Sequence, residues 1–384
     1  MSQRPFSTPS STMLPEKPSI IALVGEAYGE QEERTHIPFI GAAGQELTKM
    51  LKDAGIDRGE CLLTNVLNLR PPNNDLKALC GKKAEVTDLY TRSRPGLVDS
   101  IPNYPWPETY NWAPIAGAGK FLYPKYLPEL ARLKRELTRP DIHLVIALGN
   151  TACWGLLGRS GIGKLRGYVY NSTLVDGLRI LPTYHPASIL RQYANRPIVV
   201  ADFQKALRER SRLISGEGLS ASRRVLWIEP EECDLEAWWR EFVPHPWTRL
   251  SVDIETHRGT ITCIGFGVET SGLSIPFSAQ PGAEGNYWNT GMEEERVMSW
   301  VCSKLAGPNP KIFQNALYDL QWIWKKWGAV VNRVEDDTML IHHALQPEMP
   351  KDLGFLGSVY TEEVAWKSLR HQAHLKAKAE KKDE

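Results

Sequence analysis

The chain has 384 residues, enough for two or three domains at roughly 150 residues each. Its 42% hydrophobic and 24% charged residues are globular proportions and exclude wholesale disorder. Lys and Arg number 46 against 45 Asp and Glu, a formal charge of +1, which excludes a uniformly basic coat for nucleic acid but leaves local basic faces open. No apolar run approaches the roughly 20 residues of a membrane span, and the Ser/Pro-rich start lacks a signal-peptide core, so no membrane association is expected and the expected compartment is the cytoplasm. The 6 cysteines are scattered without a CxxC pair, which argues against a disulfide framework or a zinc site and fits a reducing compartment.

Residues 1–17 read as a disordered N-terminus, followed by an α/β domain over 18–209. Its short apolar runs suit buried parallel strands: Ile20–Val24, Cys61–Val66, Leu144–Leu148 and Ile180–Tyr184. Between them, Gln45–Ala54 and Tyr126–Leu137 carry helical spacing, the first ending at Gly55. Alternating strands and helices predict a parallel sheet covered on both faces. From about 73 to 121 the periodicity fades among Pro, Gly, Asn and aromatic residues, as expected of an irregular insertion. Residues 210–223 read as a basic flexible linker, 224–366 as a second α/β domain, and 367–384 as a charged tail. In the second domain, Leu250–Glu255, Thr260–Val268 and Gly272–Phe277 predict a strand meander. A capping box at Thr290 and Glu293 precedes a helix burying Val297, Trp300, Val301 and Leu305. Lys311–Gln314 predicts a short strand, and Ala316–Trp327 a helix with Leu317, Leu320, Trp324 and Trp327 on one face.

Each strand of the first domain ends in a polar or glycine residue: Gly25-Glu26, Asn65, Gly149-Asn150 and His185. Parallel α/β sheets bind ligands beyond the carboxyl ends of their strands, so Glu26, Asn65 and His185 should converge. A carboxylate, an amide and an imidazole in one crevice can activate water, hold a planar ligand and stabilise a developing anion.

The segments Val24–Glu32, Ile37–Gly44, Leu63–Pro72, Leu144–Asn150, Lys164–Gly167 and His185–Arg191 together resemble, in order, the motifs of uracil-DNA glycosylases. The nearest type is the thermophile group that carries an iron–sulfur cluster. The resemblance implies a uracil-DNA-glycosylase-like parallel-sheet sandwich acting on single-stranded DNA or a base flipped from a duplex. It gives Glu26 the attacking water, with Glu32 in support. It gives Phe39 a stacking role, Asn65 the reading of uracil over cytosine, and His185 a hydrogen bond to the uracil oxygen. Ile189, Leu190 and Arg191 become a wedge into the duplex, and Arg70, Lys164 and Arg166 join Arg191 as phosphate contacts. Three departures stand out. Tyr28 replaces the family's Pro, the connection from about 73 to 121 is longer, and Leu69 stands where the family has a Cys before Arg-Pro-Pro. With the N-terminal CxxC also absent, no iron–sulfur cluster is expected.

In the second domain, Ser251-Val-Asp-Ile-Glu-Thr256 places Asp253 and Glu255 on one face of a strand, and Phe313–Asp319 adds a third carboxylate at a strand-to-helix junction. Adjacent carboxylates repel without a cation, which points to Mg2+ or Mn2+ at Asp253, Glu255 and Asp319. These segments, with Glu335–Leu340 and Gly354–Leu356, resemble the 3′–5′ proofreading exonuclease domain of A-family DNA polymerases, an RNase H-like α/β fold. That family's later Tyr-x-x-x-Asp motif is not found, so an incomplete domain is expected, inactive alone or completed by a second polypeptide. The order of the two domains resembles the N-terminal part of certain bacteriophage DNA polymerases and implies a separately encoded polymerase chain as partner. A non-catalytic DNA-binding and assembly module, and a metal-dependent nuclease acting alone, are the alternative functions.

Overall fold

The structure, a computed structural model, describes residues 21–89, 115, 120–215, 224–279 and 285–361. The expected disordered N-terminus, the centre of the insertion, the second half of the linker and the charged tail lie outside the described residues. The chain divides into two units, residues 1–219 with 357–384 and residues 220–356. No helix among the described residues is long and apolar enough to cross a membrane.

The first unit is built on β1 (Ile21–Ala27), β2 (Leu62–Leu67), β5 (Leu144–Leu148) and β7 (Arg179–Thr183), all parallel, with β6 (Tyr170–Asn171) antiparallel at the edge, in the order β2-β1-β5-β7-β6. Buried on both faces, these strands read as unbroken apolar runs, and their side chains feed two separate core clusters. On one side Leu130, Leu133 and Leu137 of α3 (Pro128–Leu137) pack with Val24, Val66 and Val145. On the other, Leu47, Met50 and Leu51 of α2 (Ala42–Asp53) pack with Leu23, Leu63 and Ile146. Asp57 closes the following turn, accepting from the Gly59 amide. The remaining helices of this unit are α1 (Glu30–Thr35), α4 (Gly149–Leu157), α5 (Ile162–Leu165), α6 (Pro186–Ile189) and α7 (Arg196–Ser215).

Two expectations change here. The insertion is ordered at its ends, where β3 (Cys80–Gly81) and β4 (Phe121–Leu122) pair antiparallel and residues 83–89 are helical. The first six residues of the expected linker, 210–215, continue α7 rather than forming a flexible segment, because that helix buries Phe203, Ala206 and Glu209 against the sheet and carries on past them.

The second unit has one sheet, ordered β13-β12-β9-β10-β11-β8. Strands β9 (Leu250–His257), β10 (Thr260–Gly267) and β11 (Ser271–Pro276) form an antiparallel meander. β12 (Lys311–Phe313) and β13 (Val334–Asp337) add in parallel on one side, and β8 (Val225–Ile228) on the other. This mixed sheet with flanking helices is the α/β arrangement expected of an RNase H-like domain. α8 (Glu232–Phe242) and α9 (Gly291–Ala306) close its core through Trp238, Val297 and Val301. The expected buried face of α10 (Ala316–Trp327) is corrected: Leu317 and Trp324 are 66% and 63% exposed, and the buried positions are Ala316, Asp319 and Ile323. With apolar residues on several sides, helical periodicity did not single out the inward face, and a carboxylate took one inward position. Beyond it lie α11 (Thr338–Leu345) and α12 (Leu353–Tyr360).

Candidate functional site

The parallel register of β1 and β2 places Gly25 beside Asn65, and the next residue, Glu26, lies at the carboxyl end of the sheet. Two strands away, β7 runs out to His185. The loop between α1 and α2 delivers Phe39. Glu26, Tyr28, Glu32, Phe39, Asn65 and His185 line one cavity of about 380 Å³, within the range of small-molecule sites. Gly25 makes the convergence possible. A Cβ there would lie 2.4 Å from the Asn65 Oδ1 and 2.5 Å from the Phe39 Cζ, so any side chain would push the amide and the ring apart.

Each wall of the cavity is held from behind. Asn65 is 2% exposed, and the backbone beneath it is fixed by Arg132, whose Nη2 donates to the carbonyls of Asn65 (2.7 Å) and Val66 (3.2 Å). The Arg132 charge is met by Glu129 and Glu136. Glu26 accepts from the Thr151 hydroxyl at 2.5 Å, which fixes the rotation of its carboxylate. Thr151 was not singled out in the sequence. The signal was one residue away, because the Gly149-Asn150 strand end marks the start of α4, whose first turn presents the hydroxyl. Asn150 itself braces a loop, its Oδ1 accepting from the Gly161 and Ile162 amides. Glu32 lines the cavity, but its Oε1 is committed to the amides of Ile40 and Gly41, so it anchors the Phe39 loop.

The His185 Nδ1 accepts from the Ala187 amide at 3.1 Å, capping α6. An accepting Nδ1 leaves the ring proton on Nε2. Burial pulls the His185 pKa below the ordinary histidine value and the Arg191 charge adds to this, against Glu26 and Glu32, so the ring is held neutral. The Phe39 and His185 ring centroids lie 6.3 Å apart at 33°. Together the walls offer an aromatic face, an amide edge, a neutral N–H donor and a carboxylate.

The expected wedge and phosphate contacts divide. Leu190 is 50% exposed and Arg191 is exposed beside the site, as is Tyr193 just beyond. Ile189 is corrected: it is fully buried, because the single turn of α6 points it into the core with Val199 and Phe203. Lys164 is exposed on α5. Arg166 is also corrected. It is 3% exposed, its guanidinium binds both carboxylate oxygens of Asp202, and its Nη1 donates to Ser358, so it is an internal ion pair. Removing one partner of such a pair leaves a buried charge, which is why the pair holds the fold rather than meeting phosphate. Arg70 is engaged by Glu33 and Asn74.

The residues around Leu69 do not fit an iron–sulfur cluster. Leu69 packs into an apolar cluster with Leu76, Leu79, Ile115 and Leu122, which offers aliphatic carbon where thiolates are needed.

In the second unit Asp253 and Glu255 point out from the same face of β9. β12 pairs with β9 only at Leu250 and Ser251 before the chain turns into α10. That divergence leaves the Ile254 amide facing α10, where the buried Asp319 accepts it at 3.0 Å. Burial, with help from Asp253 and Asp337, pushes the Asp319 pKa up to about 6. Asp337 accepts from the amides of Asn315, Ala316 and Met339, capping two helices at once. Among the described residues no group of three or more His, Cys, Asp or Glu is gathered closely enough to hold a metal ion. The expected Mg2+ or Mn2+ ligand set of Asp253, Glu255 and Asp319 is therefore corrected to a looser acidic group, with Asp319 turned to the backbone.

Residues 13–209 match the family model of the Uracil DNA glycosylase superfamily, just over half of the chain. A Type-4 uracil-DNA glycosylase of Thermotoga maritima is 32% identical over 190 residues, covering 48% of this chain and 75% of the relative. A Type-4 uracil-DNA glycosylase of Sulfurisphaera tokodaii is 30% identical over 188 residues, covering 48% and 67%. Among solved structures, the catalytic core of RRP6 from Trypanosoma brucei aligns with a TM-score of 0.29 and 18% identity over 37% of this chain. The alignment spans only 36% of that structure's length.

Proposed function

The chain belongs to the uracil DNA glycosylase superfamily through residues 13–209, and on that premise we propose that its first unit removes uracil from DNA by hydrolysing the N-glycosidic bond. The observation that carries this reading is the meeting of Glu26, Phe39, Asn65 and His185 around one cavity. A base taken out of the stack enters the cavity and lies against Phe39, and the Asn65 amide hydrogen-bonds its edge. As the bond from the base nitrogen to the sugar C1′ breaks, the electron pair leaves with the base. The His185 Nε2–H meets the negative charge that builds on the uracil oxygen. The Glu26 carboxylate, held by Thr151, orients the water that bonds to C1′ and faces the positive charge developing on the sugar. The water's proton passes to Glu26 or to solvent, and the released uracil anion takes one up. Leu190 and Arg191 fill the duplex and contact phosphate, with Lys164 alongside.

The full-length protein is expected to leave alkali-labile abasic sites in a uracil-containing single strand and none in the same strand carrying thymine. Intact uracil strands after prolonged incubation would end this reading.

For the second unit we propose a truncated proofreading-exonuclease-like module of a phage-type replication and repair protein. It would act in the host cytoplasm beside a separately encoded polymerase chain. The acids exposed on β9 beside the buried Asp319 support the resemblance, and their failure to gather supports inactivity in isolation. With Mg2+ or Mn2+ supplied, the purified chain should leave a 3′-labelled single strand at full length. Shortening that disappears in Asp253→Ala would favour a nuclease acting alone.

A further inference from the structure

We infer that Arg58, which lies outside the motifs that carry the family resemblance, is a positioning residue that sets the plane of the Phe39 ring; this rests on the glycosylase reading above. Phe39 has φ of 59°, a left-handed conformation that non-glycine residues rarely adopt. Such a residue keeps its place only when its surroundings over-determine it. Three contacts do so. The Arg58 Nη2 donates to the Phe39 carbonyl at 2.9 Å, with the Pro38 carbonyl at 3.5 Å. Its Nη1 donates to the Gly44 carbonyl at 3.2 Å and to the Thr48 hydroxyl at 2.8 Å, tying the loop to the first turns of α2. On the far side of Phe39, Glu32 accepts from the next two amides. The peptide after Phe39 is therefore held at its oxygen by a cation and at its N–H by an anion.

Packing leaves no slack. A Cβ at Gly44 would lie 1.8 Å from the Phe39 carbonyl oxygen, so the loop rests directly on the α2 backbone. The ring has Gly25 and Asn65 on one side and His185 on another, and its plane follows from the backbone that Arg58 fixes. The planar guanidinium fork reaches the loop and the helix at once, which a lysine ammonium on a single point cannot reproduce.

The test combines excision with hydrogen exchange on the full-length protein. Single-turnover uracil excision is measured for wild type, Arg58→Ala, Arg58→Lys, Phe39→Ala and the Arg58→Ala/Phe39→Ala double variant. Amide exchange is followed over residues 38–41. Arg58→Ala is expected to slow excision on the order of tenfold through misplacement of the ring. Arg58→Lys should recover only part of the loss. The double variant should be no slower than Phe39→Ala, because Arg58 acts through that ring. Exchange at Ile40 and Gly41 should quicken in both Arg58 variants. Unchanged excision in Arg58→Ala, or losses that multiply in the double variant, would overturn the inference. If wild type fails to excise uracil, the glycosylase reading falls by itself. Exchange then decides the clamp: unchanged protection overturns it, and faster exchange confined to 38–41 supports it.

Discussion

His185→Ala should lower the single-turnover rate of uracil excision by on the order of 10²–10³-fold, the usual cost of losing a donor aimed at developing charge. The expectation follows from the state in which the fold keeps this ring. Its Nδ1 is occupied by the Ala187 amide and its pKa is pulled down, chiefly by burial, so Nε2–H is a neutral donor across the physiological range. A neutral donor pays no proton-transfer penalty, and its hydrogen bond strengthens as the base becomes an anion. Alanine also removes the cap of α6, worth about 1 kcal/mol. His185→Asn is the control, since asparagine can still accept from Ala187 while offering nothing at the Nε2 position. Both variants should be slow, and only the alanine variant should melt noticeably lower. The pH dependence has a definite sign. A folded-state pKa below the ordinary histidine value of about 6.5 means the folded protein binds fewer protons than the unfolded chain. This contribution to stability is present above the unfolded value and is lost as pH falls through the lower folded value. The acid limb of excision governed by this ring should likewise sit below the ordinary histidine range and be absent from both variants. A His185→Ala rate within threefold of wild type would remove the ring from the chemistry.

What the sequence disclosed and what it concealed follow one physical line. Glu26, Asn65 and His185 were legible because a parallel sheet forces the carboxyl ends of its strands to one edge, and a polar residue ending a buried apolar run has nowhere else to go. The residues that hold them were not legible. Thr151 reaches Glu26 across 125 positions, and Arg132 reaches the Asn65 carbonyl across 67, and no local pattern carries such contacts. Arg58 looked like a surface charge after a turn, and only the left-handed Phe39 backbone gives it a task.

Charge and periodicity also misled where one turn of helix decides burial. In α6 the neighbours Ile189 and Leu190 take opposite fates, core and solvent, and both suit an apolar wedge as sequence. Arg166 reads as a phosphate contact until Asp202, on α7, is seen to neutralise it in the interior. In the second unit the acids of β9 were correctly placed on one face by strand alternation. The rotation of Asp319 toward the Ile254 amide depends on where β12 leaves β9, which is a property of the sheet rather than of the motif.

Asn65→Asp should collapse the preference for uracil over cytosine rather than simply abolish excision. Uracil presents an acceptor oxygen beside an N–H, and cytosine presents the reverse pair. A fixed carboxamide offers a donor and an acceptor in one orientation, and Arg132 holds the strand beneath it while Gly25 leaves it no room to flip freely. A site built around such a pair rejects the mismatched partner by about 10⁴–10⁵, because the wrong base leaves buried polar groups unpaired. At 2% exposure, an aspartate in this position is strongly disfavoured as an anion, and its pKa rises. The protonated acid carries one O–H and one carbonyl that can exchange places, so it pairs with either base edge. The variant should excise cytosine measurably from single-stranded DNA and lose on the order of 10²-fold or more of its uracil rate from the imperfect fit. The cytosine activity should fade as pH rises through the new carboxyl's elevated pKa, because the carboxylate can accept from the cytosine amine but cannot donate to its ring nitrogen. Asn65→Ala separates discrimination from packing: it offers neither donor nor acceptor and should lose uracil excision without gaining cytosine. An aspartate variant that still rejects cytosine as wild type does would show that base identity is read elsewhere in the cavity, and Tyr28, buried in its wall, would be the next side chain to substitute.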